Sequence, residues 1–567
     1  MKLKHLCIAL SAILLAHISS AQKLADLFDD TSAKSFFEAS PNLSVEARKF
    51  RKLALEAYED GKIQDASDKI TAAEYFENLA KFGKSLPPDL RIYLLASPDL
   101  LEEFISQISP KDKMDKVFEI LAKINKASAE QFRKYPRLAM AIALVFDTNP
   151  PKTWPHGQVS ETLLPRILPD PAAHFATLVS MREKGKFLIP TEKLSIEEAK
   201  YLVASIASNE DREWAQKSVS VSLSNIPKLY PSINYAKIRL DQKMFDWTGD
   251  DYRLKSIKAK GGICTDQSYY TAEVSKARGV PAFIFSGAGS DGFHAWVGYM
   301  QKPGMWNFGV GRYENARFVT GHTLDPQTWE NATDHALESM REGFRNGVKY
   351  KTSEIHVVFA KFFLSNGEFQ KACDAAKAAV MSDARNAEAW NTTIAALEKL
   401  GKKQAEICAV YESALRAFSK YPDIDADFRK RLIKLYRDAD NPAAARKLTT
   451  SIILKNKGNR PDIAMEFARS ELELDIAEGN ADKLFSSYKR LLSTFKSDSA
   501  VALNGIAIPI INAVLKTDKF ESSRELLKIT KQVLKPAKDS LVKKAVDDIE
   551  GQLDNIIAEL KKKNKKD

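Results

Sequence analysis

Two adjacent glycines, Gly261 and Gly262, stand just before Ile263-Cys264. The run that follows, Thr265 to Arg278, is free of Pro and Gly and is closed by Gly279 and Pro281. Paired glycines let the backbone turn sharply and approach another group closely, and an uninterrupted run ended by Gly and Pro reads as a helix. The segment therefore has to fold as a tight elbow that delivers Cys264 at a helix N-terminus. Small residues Ser268, Ala272 and Ser275 on one face predict close packing of that helix against a neighbour. Unpaired N–H groups and the positive end of the helix dipole favour a thiolate there, so a lowered thiol pKa is expected.

Three strand-like runs come next: Ala282 to Phe285, then, after a Gly-rich loop (Ser286 to Gly292), Phe293 to Met300, and finally Met305 to Gly311. Alternation places His294, Trp296 and Gly298 on one face of the second run. A helix carrying a thiol packed on a sheet carrying an imidazole assembles a Cys–His pair, in which the imidazole takes the thiol proton. Gly287 to Gly292 matches the dinucleotide fingerprint by letters, but a strand follows where a phosphate-cradling helix is required. HExxH, paired CxxC and Walker-type loops do not occur, so neither metal nor cofactor is expected. Asp266 reads as a carboxylate favoured by the helix dipole. His156, His174, His322, His335 and His356 read as structural or solvent-facing.

The GGxCxD box at 261–266, Arg278-Gly279-Val280-Pro281-Ala282 and His294-Ala295-Trp296, in this order, resemble the transglutaminase-like cysteine-enzyme superfamily. The likeness covers about 70 of the 567 residues. It implies a papain-like α+β core with Cys264 as nucleophile and His294 as its base. That family has an Asp on the strand after the His strand, past a Trp that Trp306 matches, and no Asp stands there. Asn307 is the substitute for orienting the imidazole if a bulge near Gly309 shifts the register, with Asp325 a more distant option. The backbone N–H of Cys264 is the first expected oxyanion donor, and a second is expected from a side chain upstream, near Trp247 or Tyr252.

The flanks differ in pattern. Residues 1–21 combine a basic start, an apolar run from Leu6 to Ala16 and a small-x-small exit at Ser19-Ser20-Ala21, as in a cleaved export signal. The apolar run is too short to span a bilayer, and no transmembrane segment is expected later. Residues 22–240 read as helices joined by Pro-containing loops. Residues 241–345 form the core, and 346–560 read as paired helices. In the first of these, Ile355, Val358, Phe359, Phe362 and Phe363 follow helical spacing. Gly367 to Gly401 spans 34 residues, the tetratricopeptide period, and later turns drift from it. The fold class is thus multidomain and mainly α: a helical N-terminal region, a central α+β papain-like core, and a tetratricopeptide-like α-solenoid.

Composition excludes the remaining classes. With 44% hydrophobic and 28% charged residues the chain is globular, and four cysteines are too few for a disulfide scaffold. Cys373 and Cys408 are expected as buried free thiols. More than half of the net charge of +11 comes from the first 21 residues and from the Lys-rich tail 561–567, so no nucleic-acid face is expected. The expected function is that of an exported, periplasmic or extracellular Cys–His enzyme. It would act on peptide or glutamine amide bonds through a thioester, by hydrolysis, with a protein or peptide substrate and a protein partner on the repeats. The alternative is a catalytically silent scaffold that binds proteins through its helices.

Overall fold

The computed structural model describes residues 29–40, 42–289, 292–312, 320–497, 499–517, 519–537 and 540–563. The expected export signal and the last four residues of the lysine tail lie outside them. The described chain is mainly helical, 67% helix, with one small antiparallel sheet in the middle. No described helix is long and apolar enough to cross a membrane.

The chain divides into two compact units. One runs to Thr392 apart from 287–293 and 314–321, and the other comprises those two stretches and residues 393–567. In the first unit, α1 (Leu43–Glu59) and α2 (Ile63–Phe82) pack against each other. Asn42 accepts from the Val45 N–H at the start of α1, and Gly61 takes φ +76° just past its end. A helix can begin on proline because the first N–H is unpaired in any case; α3 (Pro136–Phe146) does so, and Leu138 to Val145 are all buried. Helix α4 (Ile196–Val203) opens on a capping box between Ser195 and Glu198. A short α5 (Leu254–Lys260) leads into α6 (Cys264–Ala277).

All fourteen residues of α6 are buried, although many are polar. The hydroxyls of Ser268, Thr271 and Ser275 donate to the carbonyls four residues back, at 2.8, 2.8 and 2.6 Å, which removes the cost of an unpaired buried donor. Glu273 pairs with Lys276 at 3.0 Å and accepts from the Ser205 hydroxyl. At its end Gly279 has φ +72°, and a Cβ there would stand 2.3 Å from the Phe187 ring. The small-residue face predicted close packing, and burial of the whole circumference goes further.

Five strands form the sheet: β1 (Ala282–Gly289), β2 (Gly292–Lys302), β3 (Met305–Val310), β4 (Gly321–Leu324) and β5 (Asn331–Thr333), in the order β3-β2-β1-β4-β5. The predicted Gly-rich loop is mostly strand. The two last strands, of four and three residues, are too short to leave a period in the sequence. Phe283, Phe285, Trp296, Trp306 and Phe308 pack as neighbouring aromatic pairs on this sheet.

After the sheet come α7 (Glu338–Glu342), α8 (Val348–Ser365) and α9 (Phe369–Ser382). Tyr58 of α1 stacks on Phe359 with ring centroids 4.2 Å apart and hydrogen-bonds His356 Nδ1 at 2.6 Å. The first helix pair of the expected array thus belongs to the same unit as the N-terminal helices. Its buried face carries Val357, Phe359, Ala360 and Phe363, and Val358 is exposed. In the second unit, consecutive helices from Gln404 to Glu478 pack on one another in sequence order, and Gly401 and Gly479 mark turns with positive φ. Cys373 is buried, Cys408 is half-buried, and both are free thiols.

Candidate active site

The elbow before Cys264 needs both glycines. Gly261 has φ +76°, and a Cβ there would meet the Asn234 carbonyl oxygen at 2.4 Å; one on Gly262 would meet the Asp266 Cβ at 2.4 Å. The strand-like contacts Gly262 N–H to Asn234 O and Ala236 N–H to Gly262 O, both 2.9 Å, bring this close approach about.

Asp266 closes the elbow from the helix side. Its Oδ2 accepts from the Ile263 N–H at 2.9 Å and from Arg239 Nη1 at 2.7 Å, and its Oδ1 accepts from the Tyr252 hydroxyl at 2.8 Å. Arg239 in turn donates to the carbonyls of Met244 and Phe245 at 3.3 and 2.6 Å. The Tyr252 oxygen, its proton given to Asp266, accepts from His156 Nε2 at 2.9 Å, and His156 Nδ1 accepts from the Gln158 N–H at 3.3 Å. Each donor in this chain determines the next, so His156 carries its proton on Nε2. Burial, aided by the charges of Arg166 and Arg239, pushes the His156 pKa down to about 3 and keeps the ring neutral. Asp266 is therefore a structural carboxylate, and His156 belongs to its support. The pair Arg239–Asp266 is almost wholly out of water and is fully hydrogen-bonded, as a buried ion pair must be.

On the other side, His294 is 6% exposed and its ring stacks on Trp296 with centroids 6.1 Å apart. Its Nε2 donates to the Gly311 carbonyl oxygen at 2.7 Å. That bond leaves Nδ1 as the basic nitrogen. A bulge does occur in β3: Val297 pairs with Val310 and Tyr299 with Asn307, so one extra residue sits on β3 near Gly309. It does not bring Asn307 to the imidazole. The Asn307 carboxamide oxygen accepts from the Gly309 N–H at 2.8 Å and so braces the bulge itself. The extra residue re-aims the end of the strand, and Gly311, with φ +81°, faces its carbonyl to His294. Tyr230 buttresses both strands: its hydroxyl donates to the Ala295 carbonyl at 2.8 Å, and a Cβ on Gly311 would stand 2.4 Å from its ring. The orienting group is thus a backbone carbonyl where Asn307 was expected. Asp325 accepts from Gln327 and Thr328 N–H at 2.8 and 3.0 Å and caps a turn.

The backbone N–H of Ala295, the residue after His294, acts on the Cys264 thiol and favours its thiolate. The sulfur lies 4.0 Å from the Thr265 hydroxyl oxygen. The expected lowering of its pKa does not hold. Burial pushes the thiol up, and the Ala295 N–H and the Thr265 hydroxyl, which favour the thiolate, do not overcome it. The upstream oxyanion candidates are committed elsewhere: Tyr252 donates to Asp266 and Trp247 Nε1 donates to the Asp251 carbonyl at 2.8 Å. Sequence reasoning missed Gly311, Tyr230 and Arg239, none of which carries a motif. His174 is buried with Nε2 on the Val203 carbonyl at 3.0 Å, and its role is structural.

A cleft of about 490 Å³ opens along β3, lined among others by Asn307, Gly309, Arg312, Asp334, His335 and Arg341. Arg312 pairs with Asp334 at 2.9 Å and lies over the Trp296 ring. Neither Cys264 nor His294 lines this cleft, although Arg312, which does, directly follows the carbonyl that holds the imidazole. No protein-family model, curated protein or solved structure matches this chain.

Proposed function

We propose that the chain is an exported Cys–His enzyme that cleaves amide bonds through a thioester, with a transglutaminase-like core and a tetratricopeptide-like array that engages a protein partner. One observation carries the reading: the backbone N–H of Ala295, next to His294 in β2, acts on the Cys264 thiol and favours its thiolate, while His294 Nε2 donates to the Gly311 carbonyl at 2.7 Å and leaves Nδ1 as the basic nitrogen. The thiol rests protonated, because burial raises its pKa. As the sulfur attacks the amide carbonyl carbon, its proton passes to Nδ1. The imidazolium then gives that proton to the leaving nitrogen, the C–N bond breaks, and an amine departs from a Cys264 thioester. Water, deprotonated by the same nitrogen, attacks the thioester, and the carboxylic acid leaves as the thiol is restored. Hydrolysis is favoured over transfer to a lysine amine, because the sequence offers no dedicated acceptor site. The backbone N–H of Cys264, at a helix start, serves as one oxyanion donor.

A second reading has its own support. A thiol held protonated by burial, beside an imidazole oriented by an uncharged carbonyl in place of a carboxylate, suits a silent scaffold that works through its helices. Acylation with p-nitrophenyl acetate at neutral pH separates the two. The enzyme reading expects a mass increase confined to Cys264, formed at least 100-fold faster than on free cysteine and lost in His294→Ala. Acylation no faster than free cysteine in the wild type overturns it in favour of the scaffold.

A further inference from the structure

The geometry points to Gln158 as the second oxyanion donor of this site, an inference that rests on the acyl-transfer reading above and deepens it. A tetrahedral intermediate needs a second N–H aimed at the developing charge, and the two aromatic side chains expected for that task are already committed. Gln158 lies far upstream in sequence, between the Pro-rich turns, yet it abuts the start of α6. Its carboxamide oxygen accepts from the Thr265 hydroxyl at 2.7 Å, and Thr265 is the residue after the nucleophile.

The rest of Gln158 is pinned from several directions. Its N–H donates to His156 Nδ1 at 3.3 Å, and its carbonyl accepts from the Trp247 N–H at 2.9 Å. The buried guanidinium of Arg166 donates to the carbonyls on either side, His156 and Val159, both at 2.9 Å. The chain through His156, Tyr252 and Asp266 ends on the Ile263 N–H, the residue before Cys264. Gln158 is thus tied to the nucleophile's helix by two independent routes, one through Thr265 and one through the buried chain.

Every polar atom of Gln158 is engaged within the described residues except the amide nitrogen Nε2. With Oε1 fixed on Thr265, the two N–H bonds of Nε2 are left for a ligand. The side chain is partly exposed, so a substrate can reach it. A carboxamide whose oxygen is anchored inside and whose nitrogen is free suits the stabilisation of a carbonyl oxygen turning anionic. The ground-state oxygen would be bound by the same pair of donors, the Cys264 N–H and Gln158 Nε2, more weakly.

The test compares two reactions of one thiol. Acylation by p-nitrophenyl acetate passes through an oxyanion, whereas alkylation by iodoacetamide does not. Gln158→Ala and the near-isosteric Gln158→Glu, which keeps an acceptor for Thr265, are measured beside the wild type. The expected result is an acylation rate about 100-fold lower in both variants, with alkylation within about twofold of wild type. Unchanged acylation, or equal loss of both rates, overturns the assignment; the latter shows a merely structural role. A wild type that is alkylated but not acylated overturns the catalytic reading itself, and this inference with it.

Discussion

The backbones that present Cys264 and His294 are held by different means. On the nucleophile side, two glycines that no other residue can replace, a buried ion pair and a directional chain of side-chain hydrogen bonds fix the elbow. On the base side, a strand bulge, one asparagine and a backbone carbonyl do the work. The first arrangement is built from charged and aromatic side chains out of water, so single substitutions strand a buried partner and are costly. The second is built from main-chain atoms, so single substitutions bend it without deleting it. The nucleophile's position is therefore the more fragile to mutation and the imidazole's the more tolerant.

The sharpest way to break that contrast is Asp266→Ala. It leaves the Arg239 guanidinium buried without its partner and removes the acceptor of the Ile263 N–H and the Tyr252 hydroxyl. The expected loss is about 3–5 kcal/mol of stability, read as a fall in the urea midpoint at constant slope. Asp266→Asn, which keeps an oxygen for the Ile263 N–H, should lose less. A melting curve for Asp266→Ala superimposed on the wild type would show that the elbow does not depend on this network.

A smaller effect follows from the neutral imidazole in the same network. His156 titrates at about 3 in the folded chain against an ordinary value of 6.5, because burial disfavours its charged form. Below pH 6.5 the unfolded chain takes up a proton that the folded chain refuses. The contribution of this group is thus complete above pH 6.5 and is lost as pH falls toward 3. Other groups act with the opposite sign: burial pushes Asp147 up to about 6, so its protonated folded form gains as pH falls from 6. They cancel in the difference between wild type and His156→Gln. The variant is expected to be the less stable at pH 7, and its deficit should shrink by about 1.4 kcal/mol per pH unit below 6.5. Urea denaturation at several pH values reads this directly, and a deficit independent of pH contradicts a neutral buried ring.

Much of the scaffold was legible because Gly and Pro punctuate it. The elbow, the length of α6, the first three strands and the turns at Gly367 and Gly401 all announce themselves in residues whose backbone preferences are strong. What was not legible depends on three-dimensional neighbours. The thiol pKa was misjudged because the local helix start argues for a thiolate, whereas the layers packed over Cys264 decide the sign. The buried face of α8 is turned away from Val358 because Tyr58, about 300 positions earlier, stacks on Phe359. The group that orients the imidazole is a carbonyl, and a carbonyl belongs to every residue, so no pattern of side chains could single out Gly311.

Asn307 gives the finest test of the base side, since two views of it predict opposite results. As the orienting residue, its loss would leave the His294 ring free to rotate and reduce acylation of Cys264 by orders of magnitude, as removal of a triad member does. As the brace of the bulge, it supplies one hydrogen bond to the Gly309 N–H, which lies in the exposed part of the strand where water can take its place. Asn307→Ala is then expected to cost about 1 kcal/mol of stability and to leave acylation by p-nitrophenyl acetate within about twofold of wild type. A large loss of acylation with unchanged stability would return the orienting role to Asn307. Retained acylation would show that a main-chain carbonyl suffices to hold an imidazole where a family resemblance led one to look for a side chain.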